Sequence, residues 1–182
     1  IVENNKKINL KRNRLLNIYE KLAVSKTLSL TEHNWLMNLA VEYSVNTKHV
    51  HKITIAKTLL NHVDIIPNSI AIAQAAKESG WGTSRFAKEG NALFGQWTYD
   101  NANGLLPSQR NEGEEHFIRS FGNLKESVIS YMYNINSHNA YDLFREKRKE
   151  FRSDKININS LILVQELKPY AESPDYTDIL YQ

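Results

Sequence analysis

The sequence contains no cysteine, and this absence excludes two kinds of site at once. Disulfide bonds and thiolate metal sites both depend on the Cys sulfur, so neither can form within this chain. The six histidines contain no His-Glu-x-x-His pattern or similar cluster, and no glycine-rich phosphate loop is present. We therefore expect neither a metal ion nor another cofactor.

Long apolar runs are missing as well. No stretch approaches the ~20 apolar residues that a helix needs to cross a bilayer, so we expect no membrane span in this chain. The chain also lacks a signal peptide, yet it begins at Ile1 rather than at Met. We expect a processed chain from which an export signal has been removed.

The net charge is small: the chain has 23 Lys and Arg residues and 20 Asp and Glu residues, which gives +3. Five of the basic residues fall between Lys6 and Arg14. Such a run can attract an anionic polymer such as nucleic acid or an acidic glycan, but we favour the solvated face of a first helix. No nucleic-acid-binding motif is present, so nucleic acid is not an expected partner.

Glycine and proline are scarce, with 7 and 4 residues among 182, and no flexible linker divides the chain, so we expect one domain. Apolar residues recur at helical spacing over most of its length. Helices are predicted at 10–24, 31–43, 47–61, 67–80, 124–137, 141–151 and 160–167. Residues 101–121 contain a turn at Asn111, Glu112 and Gly113 and predict a β-hairpin. The expected fold class is mainly α, with Thr31 capping the second helix.

Glu78 is the residue whose local setting suggests chemistry. It lies in the last turn of a predicted helix that is rich in Ala and Ile, starts at Pro67 and stops at Gly80. Apolar neighbours and the negative end of the helix dipole both disfavour an ionised carboxylate, so we expect a raised pKa. A Glu that is protonated near neutral pH can donate a proton to a leaving oxygen.

Two interpretations of this Glu compete on local grounds. Gln74 lies one turn earlier on the same helix face and can orient the Glu78 carboxyl group. The alternative is that Glu78 is an exposed residue at a helix end, with no special role. The surrounding sequence decides in favour of the first interpretation.

The residues around Glu78 resemble a known family. Residues 77–97 read Lys-Glu-Ser-Gly-Trp-Gly-Thr-Ser-Arg-Phe-Ala-Lys-Glu-Gly-Asn-Ala-Leu-Phe-Gly-Gln-Trp. This stretch is similar to the signature of glucosaminidase domains of the flagellar-rod and autolysin type. Residues 62–67, 104–110 and 121–145 extend the resemblance and place it nearest to the Bax-like branch. The resemblance covers residues 62–176.

The resemblance implies a lysozyme-like, two-lobed α fold with a small β-hairpin and a groove that holds a glycan. We expect residues 1–61 to be N-terminal helices packed on a catalytic region at 62–182, as one continuous domain. The resemblance also implies hydrolysis of the β-1,4 bond on the reducing side of N-acetylglucosamine in peptidoglycan strands, in the periplasm or outside the cell. In this family the Glu matched by Glu78 is the general acid, and the Tyr matched by Tyr131 lies near the cleavage point and supports catalysis.

The second carboxylate that most glycosidases need is an open question. In the wider family it lies on the hairpin, where this chain offers Glu112, Glu114 and Glu115. The Bax-like pattern places a Glu after the hairpin His, but here Phe117 follows His116. Glu115 is our preferred candidate. Alternatively, the hairpin Glu residues form a solvated turn, and the 2-acetamido group of the substrate attacks the anomeric carbon.

Aromatic and amide side chains near the motif are candidates for binding sugar. The aromatic candidates for stacking on pyranose rings, or alternatively for the core, are Phe94, Trp97, Tyr99 and Tyr131; the resemblance favours Trp97 and Tyr131 for the site. Asn91 and Gln96 can hydrogen-bond acetamido or hydroxyl groups, as substrate-binding residues alongside Gln74. Trp35 and Trp81 are expected in the core.

Three functions follow in order of preference. The first is an endo-β-N-acetylglucosaminidase that acts on peptidoglycan. The second is a lytic transglycosylase, which uses the same acid but closes an anhydro ring. The third is a catalytically impaired glycan-binding module, which the departure at Phe117 keeps open.

Overall fold

The computed structural model describes residues 1–107, 115–171 and 173–181. Within these ranges the chain forms nine α-helices and a small antiparallel sheet, which confirms the prediction of a mainly α fold. The helices are α1 Val2–Ala23, α2 Leu30–Glu42, α3 Lys52–His62, α4 Asn68–Ser79, α5 Arg85–Gly90, α6 Leu124–Ser137, α7 Asp142–Ser153, α8 Ser160–Leu163 and α9 Tyr176–Tyr181. The strands are β1 Trp97–Thr98, β2 Gly104–Leu105 and β3 Phe117–Arg119.

The core is a single cluster of buried apolar side chains to which both ends of the chain contribute. Leu15 of α1 and Leu36 of α2 have no exposed surface, and neither have Met132 of α6 and Phe144 of α7. The first three helices therefore pack on the elements that follow them. No helix in the described part of the chain is both long enough and apolar enough to cross a bilayer.

Asp64 holds this arrangement together through buried charges. Its carboxylate is 2% exposed and receives two hydrogen bonds from Arg152, from Nε at 3.0 Å and Nη2 at 2.8 Å. Arg12 of α1 lies 3.4 Å away and Arg148 of α7 3.9 Å away. Arg12 belongs to the basic run 6–14, so part of that run packs in the interior beside Asp64 instead of lying on a solvated face.

The small sheet confirms the predicted hairpin and extends it. Strands β2 and β3 pair antiparallel, with Leu105 opposite Ile118. Strand β1 lies on the other side of β3, with Trp97 opposite Ile118, and was not predicted. The predicted turn residues fall within 108–114, outside the described residues.

Several local predictions were wrong. Ser29, not Thr31, caps α2, in a reciprocal capping box with Glu32. Trp81 is 85% exposed instead of buried, because Gly80, Trp81 and Gly82 all have positive φ and the loop directs the indole to solvent. Trp35 is partly buried and packs against the core as expected.

Candidate functional site

An open groove of about 700 Å³ lies beside the end of α4. The β1 strand with the loop before it forms one side, and the connection from α6 to α7 and the segment before α9 form the others. Among the residues predicted for the site, the lining includes Glu78, Phe94, Gln96 and Trp97. The structure thus brings four of the eight predicted residues to one surface.

Glu78 reaches this groove because of how α4 begins and ends. The helix starts after Pro67 and stops at Gly80, which has the left-handed φ of +56° that favours glycine. Glu78 is therefore in the last turn and lies half-buried at the groove wall. Gly95 approaches from the opposite loop, and a Cβ placed there would be 3.4 Å from Glu78 Oε2.

The pKa of the Glu78 carboxyl group is raised above its ordinary value of 4.5. Burial is the main cause, because water no longer solvates the ionised form. The Tyr176 hydroxyl and the positive charge of Lys77 lower the pKa, but they do not offset burial. The direction agrees with the one expected from the sequence, and it suits a proton donor.

A chain of hydrogen bonds runs through the protein beneath Glu78. The Tyr131 hydroxyl donates to Gln74 Oε1 at 2.6 Å, and Gln74 Nε2 donates to the Tyr176 hydroxyl at 2.9 Å. Tyr176 lies close enough to Glu78 for its hydroxyl to lower the pKa of that carboxyl group. Gln74 and Tyr131 have no exposed surface and Tyr176 has 2%. Gln74 and Tyr131 therefore lie beneath the groove instead of lining it, and their predicted roles in substrate binding and catalysis stay predictions.

The aromatic residues of the site divide into a buried set and an exposed pair. Phe94 stacks on Tyr131 with ring centroids 3.9 Å apart and is almost fully buried, although it contributes to the groove lining. Trp97 is 58% exposed and stacks on His116, also at 3.9 Å. The Trp97 indole is thus a large exposed apolar surface in the described groove lining. Tyr99 is exposed and is not part of the lining.

The two predicted amide residues have different positions. Asn91 ends α5 with a φ of +51° and donates from Nδ2 to the carbonyl oxygen of Phe121 at 3.0 Å. It is not part of the groove lining, and its hydrogen bond stabilises the turn, so its contact with substrate stays a prediction. Gln96 does line the groove, and its buried Oε1 meets no hydrogen-bond donor among the described residues.

Glu115 is exposed and precedes His116, which lines the groove. Glu115 itself is not in the lining. Glu112 and Glu114 lie outside the described residues. Within the described part of the groove, Glu78 is the single carboxylate in the lining, so the identity of a second carboxylate stays a prediction.

Sequence reasoning missed a tyrosine cluster next to Glu78. Tyr170 stacks on Tyr176 with centroids 5.7 Å apart, and its hydroxyl donates to the Phe94 carbonyl oxygen at 2.8 Å. Tyr141 lines the groove, and burial is the main cause that raises its pKa to about 12. Gln74 and Tyr176 are 102 residues apart, and no local pattern signals that separation.

The comparisons with known proteins agree with this geometry. A family model described as mannosyl-glycoprotein endo-beta-N-acetylglucosaminidase matches residues 53–182. The chain belongs to this glucosaminidase family. It is also 34% identical to Protein bax of Escherichia coli (strain K12) over 142 residues, which confirms the predicted Bax-like relationship.

The extent of these matches differs. The alignment with Protein bax covers 78% of this chain and 48% of that protein, so the chain spans about half the length of this curated relative. No solved structure matches the chain. The lysozyme-like, two-lobed arrangement therefore stays a prediction.

Proposed function

We propose that this chain is a peptidoglycan hydrolase, an endo-β-N-acetylglucosaminidase in which Glu78 is the general acid. The observation that carries the proposal is a half-buried carboxyl group with a raised pKa on the wall of a 700 Å³ groove. Membership of the glucosaminidase family supports the glycosidase class. Peptidoglycan as substrate implies a location in the periplasm or outside the cell.

The acid step follows from the surroundings of Glu78. Its protonated carboxyl group donates to the glycosidic oxygen of a bound glycan as the bond to the anomeric carbon breaks. The nearby Tyr176 hydroxyl favours the ionised form. It therefore interacts more strongly with Glu78 as the proton leaves, and it stabilises the carboxylate that the step produces.

The positive charge that develops on the sugar ring needs a second group. A hairpin carboxylate, with Glu115 as our candidate, can serve as a nucleophile or activate water. The 2-acetamido group of the substrate is the alternative, and it requires no second carboxylate in the groove. Single substitutions of Glu112, Glu114 and Glu115 by Gln distinguish the two routes, because a large loss confined to one variant identifies the residue.

Glycan binding relies on the exposed side chains of the same groove. The Trp97 indole, held against His116, offers a flat face on which a pyranose can stack. Gln96 can supply its amide group to the acetamido or hydroxyl groups of the sugar. The buried residues Gln74 and Tyr131 support Glu78 from beneath.

The test compares Glu78→Gln with Glu89→Gln on purified peptidoglycan. Glu89 lies on α5, pairs with Arg85 at the surface and is not part of the groove lining, so its substitution is a matched control. We expect Glu78→Gln to lower the rate of fragment release by about 10²- to 10⁴-fold, the usual contribution of a general acid. The control should match wild type. An undiminished rate in Glu78→Gln contradicts the proposal.

Mass spectrometry of the released fragments tests the reaction type. Hydrolysis leaves a reducing N-acetylglucosamine end, whereas anhydro ends indicate a lytic transglycosylase. If the wild-type protein binds peptidoglycan without releasing fragments, the chain is a glycan-binding module.

A further inference from the structure

His138 lies where α6 ends, and its exposed side chain lines the groove. Its backbone N–H donates to the carbonyl oxygen of Asn134 at 2.9 Å. Its own carbonyl oxygen accepts from Nη1 of Arg145 at 2.8 Å, and this arginine is only 1% exposed. The main chain at His138 is therefore held from two sides, by α6 and by a buried guanidinium group.

The imidazole ring of His138 is held through one of its two nitrogens. Nδ1 accepts a hydrogen bond from the backbone N–H of Ala140 at 3.2 Å and so caps the short 3₁₀ turn Asn139–Tyr141. A nitrogen that accepts a hydrogen bond carries no proton, so the neutral ring carries its single proton on Nε2. The Tyr141 ring packs nearby, with its centroid 6.1 Å from that of the imidazole.

The other nitrogen, Nε2, therefore has an N–H group to donate. The two nitrogens lie on opposite sides of Cε1, so the Nε2–H bond points away from the turn that Nδ1 caps. No acceptor for it is found among the residues that the structure describes. Because the ring lines the groove, this donor is available to a molecule bound there.

The position of His138 complements that of Trp97. The Trp97 indole is exposed on the side of the groove that β1 forms, whereas His138 belongs to the connection from α6 to α7 on another side. A ligand in the groove thus meets an apolar face from one side and a fixed N–H donor from another. Ligand sites commonly combine apolar surface with a few polar groups that fix the orientation of the ligand.

From this geometry we propose that His138 is a substrate-binding residue whose Nε2–H donates to an acceptor oxygen of the bound glycan. The inference rests on the proposed function, because the ligand is the glycan on which Glu78 acts. His138 takes no part in the proton transfer, so it contributes to affinity. The competing role is purely structural, in which the imidazole only caps the turn through Nδ1.

Two substitutions separate the roles of the two nitrogens, both made in the Glu78→Gln background so that the ligand is not cut. In His138→Asn, Oδ1 can accept from the Ala140 N–H, as Asn does at helix N-caps, but nothing replaces the Nε2–H donor. In His138→Gln, the longer amide carries an N–H group to the position of Nε2 but leaves the Ala140 N–H without its cap. The ligand is a soluble tetrasaccharide of alternating N-acetylglucosamine and N-acetylmuramic acid.

We expect His138→Asn to raise Kd about fivefold, the equivalent of the ~1 kcal/mol that one hydrogen bond contributes, with a thermal midpoint near that of the parent protein. His138→Gln should bind within about twofold of the parent and have a lower thermal midpoint, because the turn loses its cap. Isothermal titration calorimetry measures Kd, and scanning calorimetry measures the midpoint. Asn139→Ala, at an exposed position outside the groove lining, is the control and should leave Kd unchanged.

NMR of the wild-type protein tests the proton position without any substitution. Long-range ¹H–¹⁵N spectra at a pH where the ring is neutral report which nitrogen of His138 is protonated. We expect the proton on Nε2, and we expect the Nε2 resonance to move when the tetrasaccharide is added. A proton on Nδ1 overturns the inference.

The outcomes separate this inference from the proposed function. A parent Kd retained in His138→Asn, together with loss of activity in Glu78→Gln, overturns the inference and leaves the general acid in place. Equal rises of Kd in both His138 variants, with lowered midpoints, assign the residue to the turn and also overturn it. If the parent protein does not bind the tetrasaccharide, the proposed function fails as well. A higher Kd in His138→Asn alone, with the midpoint retained, supports the inference.

Discussion

Asp64 and Glu78 are both withdrawn from water, yet their surroundings move their pKa values in opposite directions. Burial raises the pKa of Asp64, but the hydrogen bonds from Arg152 and the charges of Arg148 and Arg12 outweigh it and lower the pKa overall. Burial also raises the pKa of Glu78, and there Tyr176 and Lys77 do not compensate. Asp64 is therefore held ionised, whereas Glu78 keeps its proton to a higher pH than an ordinary Glu does.

The comparison shows that the surroundings of a carboxyl group determine whether it suits a structural role or proton transfer. Asp64 receives two hydrogen bonds from Arg152 and lies among guanidinium groups, so its charge is neutralised and its position is fixed. Glu78 has a neutral phenol as its buried partner and an open groove on its other side. Complete neutralisation suits a structural role, and incomplete neutralisation suits proton transfer.

The largest effect is expected from Asp64→Asn. The change leaves the buried Arg148 guanidinium without its anion, and breaking such a pair costs about 3–5 kcal/mol of the free energy of unfolding. Urea denaturation measures the loss. Glu42→Gln, which breaks the surface pair with Lys11, is the control and should cost less than about 1 kcal/mol. Equal losses in the two variants would remove the distinction between buried and exposed pairs.

A smaller effect is expected from Gly95→Ala, which tests the groove wall. At a φ of +60° an alanine costs about 1–2 kcal/mol, and its Cβ would lie 3.4 Å from Glu78 Oε2. Gly80→Ala has the same backbone cost at a φ of +56°, but its Cβ meets Thr83 instead. We expect similar thermal midpoints for both variants, and we expect the pH dependence of the reaction rate to change in Gly95→Ala alone. A matching change in Gly80→Ala would assign the effect to backbone strain.

Trp97→Ala tests whether the open side of Glu78 holds sugar. Removal of the exposed indole should raise KM about 2- to 12-fold, the equivalent of 0.5–1.5 kcal/mol for an aromatic contact, with little change in kcat. Tyr99→Ala removes an exposed ring that lies outside the groove lining and should leave KM unchanged. Initial rates over a range of glycan concentrations separate the two parameters.

The smallest effect concerns stability and pH. Because the folded-state pKa of Glu78 is raised, its contribution is fully present below the ordinary value of 4.5 and is lost as the pH rises through the folded pKa. Glu78→Gln lacks this loss, so at pH 7 it should be slightly more stable than wild type, with no gain at acid pH. Asp64 has the opposite sign, and its contribution is lost as the pH falls through its lowered pKa. Denaturation curves at several pH values check both signs.

The parts of this fold that the sequence predicted are those with local causes. Pro67 and Gly80 bound α4 by their own backbone preferences, so the position of Glu78 at a helix end was accessible from sequence. The capping box of Ser29 and Glu32 is equally local and was available in the sequence, although Thr31 was preferred.

What escaped prediction depends on contacts between distant residues or on loop direction. The pairing of Gln74 with Tyr176 spans 102 residues, and α9 is only six residues long. Asn91 has the chemistry of a sugar ligand, but its positive φ and its bond to Phe121 assign it to a turn. Trp81 is apolar enough for the core, and only the loop conformation directs it outward.

The hydrogen bond between Gln74 and Tyr176 also indicates the order in which the parts of the groove region fold. Contacts between residues so far apart in the chain form late, because the intervening segment must close first. During synthesis, Glu78 leaves the ribosome about a hundred residues ahead of Tyr176, whose hydroxyl accepts from Gln74 on the same helix as Glu78. The packing beneath the groove wall is therefore complete only when the end of the chain has docked.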